Sequence, residues 1–225
     1  MAENVFHRSL LAISSVSLIG SCETRFMEAM VGKPKVTKQM QIGKVMHEKL
    51  AAPLPKITIE EVIEKIKSGG TGGVRELPVT DKINRLIGRI DQLELMGRNA
   101  KGVNNALIID DKYPKFKFNE MPLYYKLQLS AYAVAIKNSE VFGSICDIVG
   151  LRLISREPGS HVITGTFDVE GEELAQCKSN VAEAANEAWQ LYDRKREPEH
   201  RRFDVGKGEW VRCYCSLGKA GLGWS

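Results

Sequence analysis

The segment Ala-Leu-Ile-Ile-Asp-Asp-Lys at 106–112 constrains this chain more than any other. Four apolar residues followed by two acids and a lysine read as a buried strand whose end breaks into charge. Side chains alternate faces along a strand, so Asp110 and Lys112 share one side and Asp111 takes the other. A carboxylate and an ammonium at the end of an apolar run are costly to bury unless they are paired or have a task. A second such ending stands upstream, where Ile-Gly-Arg-Ile at 87–90 leads to Asp91. If the two segments pair as neighbouring strands, Asp91 and Asp110 converge with Lys112 beside them. Hard oxygen ligands of this kind suit Mg²⁺ or Mn²⁺. Such an ion activates a bound water and offsets charge on a phosphoryl oxygen, the two needs of phosphodiester hydrolysis. Lys112 would orient that water or help to deprotonate it.

Composition excludes several classes without choosing among the rest. The chain has 225 residues, 43% hydrophobic and 27% charged, the balance of a globular domain with a core of its own. No apolar run reaches the roughly 18 residues that a membrane-spanning helix needs, so no membrane partner is expected. The net charge of +4 permits a polyanionic partner without requiring one. Five cysteines, an odd number, are too few for a disulfide-dense secreted scaffold and point to a reduced, cytoplasmic protein. Residues 10–21 (LLAISSVSLIGS), ending before Cys22, have the outline of a lipoprotein signal. Glu3 offsets Arg8 ahead of it and three serines interrupt it, so it reads better as a short segment leading into the domain.

Ile42, Val45, Met46 and Leu50 recur at helical spacing and predict a helix over 38–51 that carries His47. Thr58 with Glu61 forms a capping-box pattern before Val62, Ile63 and Ile66, predicting a second helix that stops at Gly69. The glycine pairs at 69–70 and 72–73 read as a hinge or turn. Extended segments follow at about 74–79, 86–96 and 105–112, then a helix over 122–137 and two more strands at 145–155 and 162–169. A long helix from about Gly171 carries Leu174, Cys177, Val181, Ala184, Ala188 and Tyr192 as one apolar stripe. The sum is an α/β domain with a β centre flanked by helices. Cys146 and Cys177 fall on apolar positions and read as core. The tail is dense in Arg and Lys diluted by Glu197 and Glu199, which reads as a solvated face.

In order along the chain stand Gly-Lys-Val-Met-His at 43–47, Gly-Arg-Ile-Asp at 88–91, Asp-x-Lys at 110–112, Gln128 and Tyr132 one helical turn apart, and cysteines near both ends. That series resembles the RecB-like branch of the PD-(D/E)XK nucleases, and within it the CRISPR-associated Cas-four exonucleases. The resemblance implies a restriction-endonuclease-like mixed central sheet flanked by helices, in one domain over 1–225. Its parts are an N-terminal helical part at 22–70, a nuclease core at 71–170, and a C-terminal helix with a cysteine-containing tail at 171–225. It implies that His47, Asp91 and Asp110 bind the metal, with the backbone of Asp111 as a further ligand. Lys112 then acts in catalysis, while Gln128 and Tyr132 position the site and the DNA strand. The family usually has glutamate where Asp110 stands.

The same resemblance implies an iron–sulfur cluster clamping the chain ends, through Cys22, Cys213 and Cys215. Only three thiols are available, spaced Cys-x-Cys at the C-terminal side, and zinc on them would lack an obvious fourth ligand. Lys115 and Lys117, with Tyr125 and neighbouring aromatics, make a cationic and stacking track fit for a single DNA strand. The implied activity is exonucleolytic hydrolysis of single-stranded DNA, with CRISPR integrase proteins as partners in spacer acquisition. A repair or viral nuclease of the same branch, or a weakly active DNA-binding subunit, would carry the same motifs.

Overall fold

The computed structural model describes residues 9–31, 41, 45–46 and 57–213. The chain enters through a two-residue strand β1 (Leu11–Ala12), a single helical turn α1 (Ile13–Val16) and a 3₁₀ turn (Ser17–Gly20), then helix α2 (Glu23–Val31). Leu11, Ile13, Val16 and Ile19 are buried in the main core, so residues 10–21 are part of the domain's interior and not merely a lead into it. Most of the helix expected over 38–51, His47 included, lies outside the described residues.

Helix α3 (Ile59–Lys67) is bounded as its sequence dictates. The Thr58 hydroxyl accepts the Glu61 N–H, and the Glu61 carboxylate accepts the Thr58 N–H at 2.6 Å, closing the capping box. At the other end Gly69 N–H donates to Ile66 and Gly70 N–H to Lys65, a Schellman closure that needs the positive φ of 75° at Gly69. Because Gly69 and Gly70 complete the turn, the second glycine pair is not a hinge: Gly72 and Gly73 already pair with Leu95 and Glu94. The strand that follows is therefore longer than its apolar pattern indicates.

The main sheet contains β1, β2 (Thr71–Asp81), β3 (Leu86–Arg98), β4 (Asn104–Lys112), β5 (Cys146–Arg156) and β6 (Ile163–Glu170). β3 pairs antiparallel with both β2 and β4, and β1 runs parallel to the start of β3. β4 and β5 are parallel, and β6 returns antiparallel along β5. β4 thus has a strand on each side, and residues 106–111 are all buried, as a strand covered on both faces should be. Its partner β5 is reached through helix α4 (Leu123–Asn138), the crossover that a parallel pair requires. α4 is buried almost all round from Leu129 to Ile136, where small side chains let β2, β5 and helix α5 (Gly171–Tyr192) approach it. Beyond α5, β7 (Arg201–Asp204) and β8 (Glu209–Arg212) form a separate two-stranded ribbon that the sequence pattern did not indicate. The fold is a mixed α/β sheet flanked by helices. No helix of the described residues is long and apolar enough to cross a membrane.

Candidate active site

The register of β3 on β4 builds the site. Gln92 pairs with Ile109, and one further antiparallel step sets Asp91 opposite Asp110, where directly opposed residues share a face. Asp110 is 3% exposed and Asp91 about a third exposed, so the pair sits at the boundary between core and solvent. Lys112, two residues along on the same face, brings its Nζ to 2.6 Å from Asp110 Oδ1 and 3.9 Å from Asp91 Oδ2. The second oxygen of Asp110 is buried and accepts no hydrogen bond among the described residues. Burial pushes the Asp110 carboxyl up to about 8, and the Asp91 carboxylate adds to the rise against the pull of Lys112. Burial alone would lower the Lys112 ammonium, but Asp110 and Asp91 together raise it.

Helix α4 closes the site from above. Gln128 and Tyr132 stand one turn apart, and Gln128 Nε2 donates to the Tyr132 hydroxyl at 3.5 Å. Burial raises the Tyr132 phenol, after which the nearby Asp91 and Asp110 carboxylates raise it further, placing this ring beside the acidic pair. The glycine of the Gly-Arg-Ile-Asp motif has a steric reason: a Cβ at Gly88 would lie 2.6 Å from the Tyr132 ring. Tyr125 lies on the other side of the lysine, with Lys112 Nζ 5.4 Å from its ring centre. Its ring meets Phe118 edge to face, and Phe118 meets Phe167 in turn. Lys115 and Lys117 are exposed on the loop between β4 and α4.

The Asp111 side chain, as distinct from its backbone carbonyl, is not part of this cluster. It takes the opposite face of β4, where Arg156 Nε donates to it at 2.6 Å. His47 lies outside the described residues. The residues that the structure brings together are therefore Asp91, Asp110, Lys112, Gln128, Tyr132 and Tyr125. Two carboxylates converge with one buried acceptor oxygen left over, a donor set that fits a divalent cation with oxygen preference.

The tail forms a second polar cluster. Glu23, the first residue of α2, is fully buried and accepts from Arg196, Arg201 and the backbone N–H of Glu199. Glu187 of α5 bonds the same two arginines. Arg201 also stacks over Trp210, its guanidinium 4.2 Å from the ring centre. Arg196 and Arg201 therefore leave the solvated face that the tail's charge density suggests, whereas Arg194 and Lys195 are exposed as that reading expects. Beside them, Cys22 and Cys213 are buried with their sulfurs 3.1 Å apart, and the donor atoms of Cys22, His200 and Cys213 lie within 4.8 Å of one another. Cys215 lies outside the described residues, while Cys146 and Cys177 are core residues as expected. Sequence reasoning missed Glu23 and His200; the only signal for His200 was a histidine in the same tail as the Cys-x-Cys pair.

No protein-family model matches the sequence, and no curated protein matches it. Among solved structures the chain is similar to SSO0001, with a TM-score of 0.52 and 14% identity over 88% of this chain and 82% of that one. Weaker likenesses are to a candidate exonuclease from Eubacterium rectale (TM-score 0.49, 11% identity, 98% and 92% covered) and to an alkaline exonuclease from Laribacter hongkongensis (0.47, 11%, 84% and 90%). At such identities what the chain shares with SSO0001 is its fold.

Proposed function

We propose that this protein is a divalent-metal-dependent deoxyribonuclease that degrades single-stranded DNA from its ends. The observation that carries the reading is the Asp110 carboxylate, buried at a strand end with one oxygen on Lys112 and the other without a hydrogen-bond partner among the described residues, opposite Asp91. Structural acids do not need such an arrangement. Asp91 and Asp110 would hold Mg²⁺ or Mn²⁺, with His47 and the backbone carbonyl of Asp111 completing the set. Bound there, the ion supplies an activated water and neutralises charge on the phosphoryl group.

The chain's own residues do the rest. Lys112 keeps its ammonium within reach of both carboxylates, where it can orient a water and meet the charge that develops on a non-bridging phosphate oxygen. Gln128 occupies the Tyr132 hydroxyl oxygen from one side, which aims the phenol's own proton toward the acids and the phosphate. Tyr125 packs under Lys112 and restricts where that side chain can go. Lys115 and Lys117 would bind phosphates of the incoming strand. Resemblance to the Cas-four exonucleases extends the proposal to trimming DNA ends before their capture into a CRISPR array, in company with the integrase proteins.

The test is cleavage of end-labelled single-stranded DNA with Mg²⁺ or Mn²⁺, and its arrest by chelator. Circular single strands should resist, which separates exonuclease from endonuclease. Full activity in both Asp91→Ala and Lys112→Ala would refute the assignment. The partner role is tested by whether purified integrase binds the protein and accepts ends that it has shortened.

A further inference from the structure

The Cys22, His200 and Cys213 group joins parts of the chain that are far apart. Cys22 immediately precedes α2, Cys213 follows β8 after a separation of 191 residues, and His200 immediately precedes β7. The Cys213 N–H donates to the His200 carbonyl at 3.1 Å, so the backbone already holds two of the three side chains in register. Both thiols are buried and the imidazole closes the group on the solvent side. There is no carboxylate among the three donors, and thiolate with imidazole is the set that zinc prefers.

The spacing decides between one ion and a cluster. Two thiolates on one tetrahedral zinc, each about 2.3 Å from the metal, stand roughly 3.8 Å apart. The sulfurs here are 3.1 Å apart and all three donors lie within 4.8 Å, so a small separation of the thiols admits a single ion. A four-iron cluster puts each thiolate on its own iron, two metal–sulfur bonds and an iron–iron edge from the next. The donor set does not fit that arrangement. Charge agrees as well, since two thiolates cancel one Zn²⁺ and the adjacent Glu23 is already matched by Arg196 and Arg201.

We infer that Cys22, His200 and Cys213 bind a single zinc ion that staples the start of α2 to the C-terminal ribbon, in place of an iron–sulfur cluster. The two thiols lose their protons on binding, and the ion stabilises only the folded chain, where its ligands are together. The test uses full-length, tag-free protein purified without oxygen. Elemental analysis should find about one zinc per chain, with no visible absorption from iron and sulfide. The Asp110→Asn variant should keep that zinc, which separates this site from the candidate active site. His200 is exposed, so His200→Ala should fold, yet lose more than about 100-fold in zinc affinity against a competing chelator, since even outer-sphere changes cost 10–100-fold. His200→Cys should restore it. A brown protein with several irons per chain would overturn the inference, as would folded protein that binds neither metal. Undiminished zinc affinity in both His200→Ala and Cys213→Ser would overturn it too. None of these readouts uses cleavage, so they stand or fall apart from the nuclease reading.

Discussion

Among the buried acids of the described residues, Asp110 at 3% exposure and Glu23 at none have opposite surroundings. Glu23 is surrounded by donors: two arginines and a backbone N–H occupy both of its oxygens. Burial alone would raise its pKa, but Arg196, the Glu199 N–H and Arg201 together hold the carboxyl below its ordinary range. Asp110 has one cation on one oxygen, a second acid across the strand pair, and an oxygen that accepts nothing among the described residues. A buried acid that is fully satisfied is built into the fold. One left short of positive charge is a place where something else is meant to bind, and such groups gather at functional sites.

The comparison breaks most visibly in activity. Asp110→Asn and Lys112→Ala should each lower metal-dependent DNA cleavage by about 1000-fold, measured on end-labelled single strands. The metal-free Asp110→Asn protein should melt no lower than the parent at neutral pH, because removing a buried acid held for function does not cost stability. Cleavage that survives these changes would mean the unsatisfied oxygen has no catalytic task.

Glu23→Gln should do the reverse, destabilising the fold by about 3 kcal/mol through the arginines left without a counter-charge. At roughly 2–4 °C per kcal/mol for a chain of this size, the melting temperature should drop by about 10 °C, a change for scanning calorimetry. A chain that melts as before would deny the cluster its structural role.

The two acids should also pull pH-dependent stability in opposite directions. Glu23, with its folded pKa lowered, stabilises above its unfolded value near 4.5, and that stabilisation is lost as pH falls through the lowered folded value. Asp110, raised from 3.8 to about 8, favours the fold fully below 3.8 and loses that preference as pH rises through about 8. In chelated protein, denaturant titrations from pH 3 to 9 should show Glu23→Gln differing from the parent least at the acid end and Asp110→Asn differing most at the alkaline end. Curves that stay parallel to the parent would contradict both assignments.

The smallest change is Arg196→Lys, which keeps the charge but loses the planar fork spanning Glu23 and Glu187. About 1–2 kcal/mol should be lost, with cleavage unaffected. A loss as large as that of Glu23→Gln would shift the weight of the cluster from its charge to its geometry.

What was legible in the sequence follows from local periodicity. The alternation of β4 put Asp110 and Lys112 on one face and Asp111 on the other, and the one-turn spacing of Gln128 and Tyr132 set both on one side of α4. The capping box at Thr58 and Glu61 is equally local. Glu23 could not be read in this way, because the residues that make its burial tolerable stand 173 and 178 positions away. The same holds for His200, which lies in a charged stretch whose strands are only four residues long and too short to show a period. Residues 10–21 look like a leader for a related reason: an apolar run carries no mark of whether a sheet, a membrane or a peptidase will receive it.

The reach of Glu23 across the chain also orders events during synthesis. β2, β3, β4 and α4, which carry the candidate active site, are complete once residue 138 has emerged. Until Arg196 and Arg201 follow, docking α2 would bury an acid with no cation to meet it. At roughly 5–20 residues per second the sheet, complete with β6 at residue 170, has about 1–5 s to itself before Arg196 emerges. The part that carries the candidate active site is thus expected to fold while α2 still waits in solvent, and α2 docks only when Arg196 and Arg201 arrive to meet Glu23.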